Sequence, residues 1–210
     1  MDGSRYAATG PTQPRLVHVM DMQRQVRRSI VPAFDVEAIA TIIREVAETV
    51  IMPRWRNLAA HEIVFTPGLN EDLAATSVFG TQILDVLPDK NVDGVLGIWY
   101  GKGPGVDRSG DIFRHANLAG TVGALSAALV LAGDDHACKS STIPHQSDFS
   151  LMNVGFPILY PGNVQEVLDY GLYAIALSRW SGAWAAMKMI TDVCDGGGTA
   201  RVDPDRLADG

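Results

Sequence analysis

The stretch Gly94–Asp111, GVLGIWYGKGPGVDRSGD, constrains the fold more than any other part of the chain. A short apolar run, Val95 to Trp99, stops abruptly in a segment carrying Gly101, Gly103, Pro104, Gly105 and Gly110. An apolar run of this length bounded by turn residues reads as a buried strand. Glycine permits the backbone conformations and close approaches that a tight exit from such a strand needs. A strand that leaves its sheet into a Gly-rich loop and then a helix is where open α/β sheets place ligands. The same composition also suits a tight strand–helix turn with no ligand.

The flanking sequence alternates between helical and strand patterns. Residues 1–34, with Arg24, Arg27 and Arg28, read as a solvated arm. Ile39, Ile42, Ile43, Val46 and Val50 recur at helical spacing, so 36–51 is expected to be an amphipathic helix capped by Asp35 and ending before Pro53. Glu62–Phe65 reads as a short strand. Asn70 is a good N-cap for a helix to about Leu87, with Glu71 and Asp72 in its first turn, where carboxylates complement the helix dipole. Val92–Trp99 is the strand already noted, and a helix is expected from Asp111 to about Asn117. Leu125–Ala132 and Pro157–Tyr160 read as further strands. Asn163 caps a helix to about Leu172, Ile175–Leu177 reads as a short strand, and Ser181–Val193 as a final helix. Short buried runs alternating with helices predict an α/β fold with a mostly parallel sheet and helices on both faces. The expected organisation is an arm plus helix over 1–60, an α/β domain over 61–195 and a tail over 196–210.

Charge and composition narrow the chemistry. The net charge of −7 and the lack of a long basic run argue against nucleic acid or anionic membrane as partners. Cys138 and Cys194 are too few for a disulfide scaffold, a thiolate-held iron–sulfur cluster or a Cys-rich zinc site. No apolar span approaches the roughly 18 residues of a membrane helix, and the polar N-terminus lacks a signal-peptide pattern. The expectation is a soluble, cytoplasmic protein. His115, His136 and His145, with Asp134 and Asp135, lack close ligand spacing, so no metal site is expected. Ser140-Ser141-Thr142 lacks the spacing of a P-loop, and no GxSxG elbow occurs. Asp107, Arg108 and Asp111 read as ion pairs or caps. The residues alone lead to an α/β domain with a ligand site at its strand ends and no further.

Longer motifs carry a resemblance. PGLNEDLAAT (67–76), IWYGKGPGVDRSGDIFRHAN (98–117), LAGDDHACKSSTIPHQS (131–147) and NVQEVLDYGLYAIALSRWSG (163–182) occur in order. From about His61 to Asp203 the chain resembles the pyrimidine-binding (PYR-type) domain of indolepyruvate ferredoxin oxidoreductase. That protein belongs to the thiamine-diphosphate-dependent 2-oxoacid:ferredoxin oxidoreductases. The resemblance implies oxidative decarboxylation of an aryl 2-oxo acid, with this chain supplying the aminopyrimidine half of the thiamine diphosphate site. By the motif match, Glu71 takes the role of the glutamate that bonds N1′ of the cofactor. A carboxyl group desolvated at a subunit interface can share a proton with a ring nitrogen. The resemblance also implies that Gly103, Pro104, Gly105, Asp107 and Ser109 line the cofactor side, with His136 and Lys139 on the neighbouring wall. Diphosphate, Mg²⁺ and the iron–sulfur clusters fall to partner domains carrying a GDG…N motif and the cluster cysteines. Ferredoxin is reached only through the full complex, and the chain is expected to be part of an oligomer.

Two departures stand beside the match. The family opens this domain with a strand and a GYRGSPLGG-like loop, to which nothing in 1–60 corresponds; only Arg15–Arg28 is similar to the segment before it. Thr121–Leu129 replaces an SPHGG-like loop. Ile39–Ile63 instead resembles the first helix of inositol-monophosphatase-like proteins. The GEE and DPxDGT metal-binding segments of those proteins are missing, so phosphatase activity is not implied. The alternative function is a non-catalytic remnant or interaction domain of the oxidoreductase family, and behind that an inositol-phosphatase-like protein.

Overall fold

A computed structural model describes residues 61–123 and 125–202. The helix expected over 36–51, the basic cluster Arg24–Arg28 and the segments of 1–60 that bear on the family match lie outside the described residues. The chain divides into two compact units, one of residues 1–16 and 33–64 and the other of residues 17–32 and 65–210. The sheet and helices of the described residues belong to the second unit.

Four parallel strands form one sheet: β1 (Leu96–Lys102), β2 (Ala127–Asp134), β3 (Ile158–Leu159) and β4 (Ala185–Ile190), in the order β1-β2-β4-β3. Around them run α1 (Glu71–Gln82), α2 (Gly103–Arg108), α3 (Gly110–Ala119), α4 (Asp148–Asn153) and α5 (Val164–Ser181), with α6 (Thr191–Cys194) after β4. The α/β class and the parallel sheet expected from the sequence are both present. Since every strand runs the same way, all four C-terminal ends lie along one edge of the sheet.

Alternation along the strands builds two cores. Trp99, Ala128, Val130, Ala132 and Ala186 face one way, against Ala74, Ala75 and Val78 of α1, Phe113 of α3 and Leu151 of α4. The Phe113 ring meets Trp99 edge-on at 5.0 Å, and Phe156 stacks on Trp184 at 6.1 Å. Such aromatic pairs add about 0.5–1.5 kcal/mol each beyond the area they bury. Leu129, Ala185 and Met187 face the other way and are covered by α5 through Ala174, Val167 and Tyr170. Helices therefore cover both faces. Both asparagine caps form: the Asn70 and Asn163 side chains accept the backbone N–H groups of Leu73 and Glu166.

Several elements differ from the sequence expectation. Ser181–Val193 is not a helix: α5 ends at Ser181, and Ala185–Ile190 is a central strand with both neighbours paired. Alanine, methionine and lysine are good helix formers, but a strand buried on both faces needs only a short continuous apolar run, and tertiary burial overrides propensity here. Ile175–Leu177 is not a strand; it lies inside the 18-residue α5. Glu62–Phe65 forms no strand. The helix beginning after Asn70 stops at Gln82, and Leu84–Val86 continue as a single 3₁₀ turn. The first strand starts later than Val92 and runs on to Lys102, and the second spans Ala127–Asp134 rather than Leu125–Ala132. The expected Gly-rich loop is helical, since Gly103–Arg108 forms α2 directly at the strand end and α3 follows from Gly110.

Candidate functional site

Glu71 is the first residue of α1, and its carbonyl accepts the Trp99 indole N–H at 3.0 Å, which fastens the helix start to β1. Its side chain lies against α2 at Gly105, where a Cβ would come within 2.5 Å of Glu71 Cγ. Only glycine lets the two helices approach so closely. The Glu71 side chain is 18% exposed, and its carboxylate accepts no hydrogen bond from any described residue. Arg108, the last residue of α2, reaches to 3.9 Å from Glu71 Oε2, but donates from Nε to Asp72 Oδ1 at 2.7 Å. The Arg108 hydrogen bond holds the Asp72 carboxyl below the usual aspartate range.

A second cluster lies beside α2. His145 packs on Gly103 so tightly that a Cβ there would sit 1.7 Å from Nδ1 of the ring. Its Nε2 is 2.8 Å from Asp107 Oδ2, and the Ser150 hydroxyl donates to Asp107 Oδ1 at 2.7 Å. Burial opposes the charge on Asp107, but the bonds from Ser150 and His145 outweigh it and hold that carboxyl low. The Nδ1 of His145 is buried with no hydrogen-bond partner, 3.5 Å from Asp134 Oδ1.

Asp134 ends β2 with a fully buried side chain, which accepts the Ser147 backbone N–H at 2.8 Å and the Ser147 hydroxyl at 2.6 Å. Lys188 of β4 is also buried; its ammonium is 3.5 Å from Asp134, bonded to Asp148 and 4.7 Å above the Tyr160 ring. Burial disfavours the ammonium, yet the bond to Asp148 and the charges of Asp148 and Asp134 raise its pKa. Asp135, next along, accepts the backbone N–H groups of Ser140 (2.7 Å) and Lys139 (2.9 Å), which draws the loop after β2 into a closed turn. Those bonds, that from Ser140 foremost, lower its pKa.

The expected site residues thus fall in three places. Glu71 and Gly105 are in contact, with Arg108 beside them. Gly103 and Asp107 both meet His145. Pro104 and Asp107 are exposed, whereas the Ser109 hydroxyl is buried at the α2–α3 junction with no partner among the described residues. His136 is exposed, 4.0 Å from Asp134, and the Lys139 ammonium is bonded to Asp192. The expectation that Arg108 forms an ion pair holds, Asp107 meets the His145 ring at 2.8 Å, and among the described residues Asp111 reaches only His115, one turn on, at 3.8 Å. Among the described residues no group of three or more His, Cys, Asp or Glu side chains is arranged to hold a metal ion. Sequence reasoning missed Lys188, Asp148 and Ser147. The one signal for Lys188 was a single lysine inside the apolar run AAMKMI. A depression of about 410 Å³ lies elsewhere, between the start of α5 and Gly196–Thr199, and includes neither Glu71 nor His145.

No protein-family model matches the chain, and no curated protein matches it. No helix among the described residues is long and apolar enough to cross a membrane.

Proposed function

We propose that the chain is the PYR-type portion of an indolepyruvate-type 2-oxoacid:ferredoxin oxidoreductase, in which Glu71 bonds N1′ of thiamine diphosphate. One observation carries the reading. Glu71 is a largely buried carboxyl group at the C-terminal edge of a parallel sheet, beside a glycine that leaves room for it, and no described residue donates a hydrogen bond to it. A carboxyl with so little solvent and no hydrogen bond from the described residues is suited to an external partner, and a ring nitrogen fits it as acceptor or donor according to which of the two holds the proton. When bound, thiamine diphosphate supplies the centre that stabilises the carbanion formed as a 2-oxo acid loses CO₂. This chain's own contribution is to hold a proton at the Glu71 carboxyl and to fix that group in place through Trp99 and the Gly105 contact. The diphosphate, its Mg²⁺ and the iron–sulfur clusters belong to partner domains in this reading.

The test is reconstitution with a GDG…N-bearing partner chain. Glu71→Gln should lower decarboxylation of an aryl 2-oxo acid by about 100-fold or more, the scale of a lost proton-transfer group. Turnover equal to the parent's removes Glu71 from the chemistry. The His145 ring seated on Gly103 favours a second reading, a remnant domain whose cofactor side is filled by its own side chain. Calorimetric titration of thiamine diphosphate with Mg²⁺ into the reconstituted pair separates the two, since a remnant gives no saturable heat.

A further inference from the structure

Glu71 and Asp72 are consecutive carboxylates at the start of α1, and they face one guanidinium. Among the described residues Arg108 is the sole cation within 4.0 Å of either. The contest is unequal: Arg108 is hydrogen-bonded to Asp72 at 2.7 Å and stands off from Glu71 at 3.9 Å, beyond hydrogen-bond range. We propose that Asp72 is a positioning residue that holds the Arg108 guanidinium away from Glu71, so that the Glu71 carboxyl remains able to bind a proton. The proposal rests on the reading of Glu71 given above, but its physical content concerns this chain alone.

Charge counting gives the reason. With Glu71 ionised the three groups sum to −1; with Glu71 protonated they sum to zero. Removing the Asp72 charge reverses the balance, because Arg108 is then left with Glu71 as its one carboxylate, and a small rotation closes the remaining gap. An ion pair made at 2.7–2.9 Å favours the ionised form and opposes proton uptake. The helix dipole at the start of α1 favours ionised carboxylates too, so Asp72 acts against the local trend rather than with it. Trp99 is not part of this switch, since it bonds the Glu71 carbonyl.

The test reads the carboxyl itself in the isolated full-length chain by ¹³C NMR titration of labelled glutamate, with Glu71→Gln assigning the resonance. Asp72→Asn should weaken proton binding at Glu71 about two- to fivefold, the range of a partly exposed ion pair. Adding Arg108→Met to that variant should restore the parent titration, and Asp72→Glu should keep it. An Asp72→Asn titration that superimposes on the parent's overturns the proposal. So does a double variant that titrates like the single one. Urea unfolding of the same samples separates a folding defect from the electrostatic effect, and the Arg108→Met rescue is a result that loss of structure cannot produce. Failure of Glu71→Gln to affect the reconstituted complex sinks the proposed function without touching this titration. A flat titration response sinks this inference and leaves that function standing.

Discussion

Lys188→Met is the most demanding test of the buried charge cluster. The lysine is 3% exposed, and its ammonium serves two carboxylates: Asp148 by a hydrogen bond and Asp134 at 3.5 Å. Methionine keeps the stem's volume and removes the charge, so the change isolates electrostatics from packing. Taking one partner from a buried ion pair costs about 3–5 kcal/mol, because the charge left behind is uncompensated. Two features place the cost at the lower end: Asp148 is 30% exposed and regains water, and Asp134 retains both bonds from Ser147. We expect about 3 kcal/mol, read as a fall in the urea midpoint at unchanged slope. The pH dependence checks the cause. In the parent the raised Lys188 pKa means that its contribution is complete below the lysine's ordinary value and lost only as pH climbs past the folded one. A deficit under about 1 kcal/mol at neutral pH refutes the assignment of Lys188 as the counter-charge.

Three further substitutions probe the fold. Gly103→Ala places a methyl group within 1.7 Å of His145 Nδ1, which forces the ring off Asp107; thermal unfolding should show a loss of about 1–3 kcal/mol. Gly171→Ala, in mid-helix with nothing within 4 Å, should instead stabilise by about 0.5–1 kcal/mol in the same assay. Asp135→Asn tests the closed turn: the lowered Asp135 pKa means that its bonds to Ser140 and Lys139 stabilise above the ordinary aspartate range and fade as pH falls through the folded value. The variant should be less stable at neutral pH and show a shallower loss than the parent between about pH 5 and 2; parallel curves in urea titrations at several pH values exclude the role.

The parallel α/β architecture was legible because its signals are local. The Asn70 and Asn163 caps and the apolar runs ending near Trp99 and Ala132 can each be read within a few residues. β4 was not legible, because AAMKMI suits a helix as well as a strand until its position between β2 and β3 is known. The glycines of α2 misled for a related reason. Gly103 and Gly105 suggest a flexible loop, whereas here they sit in a helix and are small because His145 and Glu71 press against them. The charged cluster was illegible in principle. Lys188 meets Asp148 across 40 residues of sequence, and no spacing rule connects them. Glu71 came from a motif, yet its relation to Arg108 needed the packing of α1 on α2.

The strand order carries a consequence for how the chain is made. Of the described strands β4 is the last to leave the ribosome and the one that separates β2 from β3, so this sheet is completed from the middle. Until Ile190 has emerged, β2 presents an unpaired edge, and the aspartate at its tip lacks the lysine that neutralises it. A nascent chain paused before that point has no finished core, with a sticky margin exposed for as long as the pause lasts.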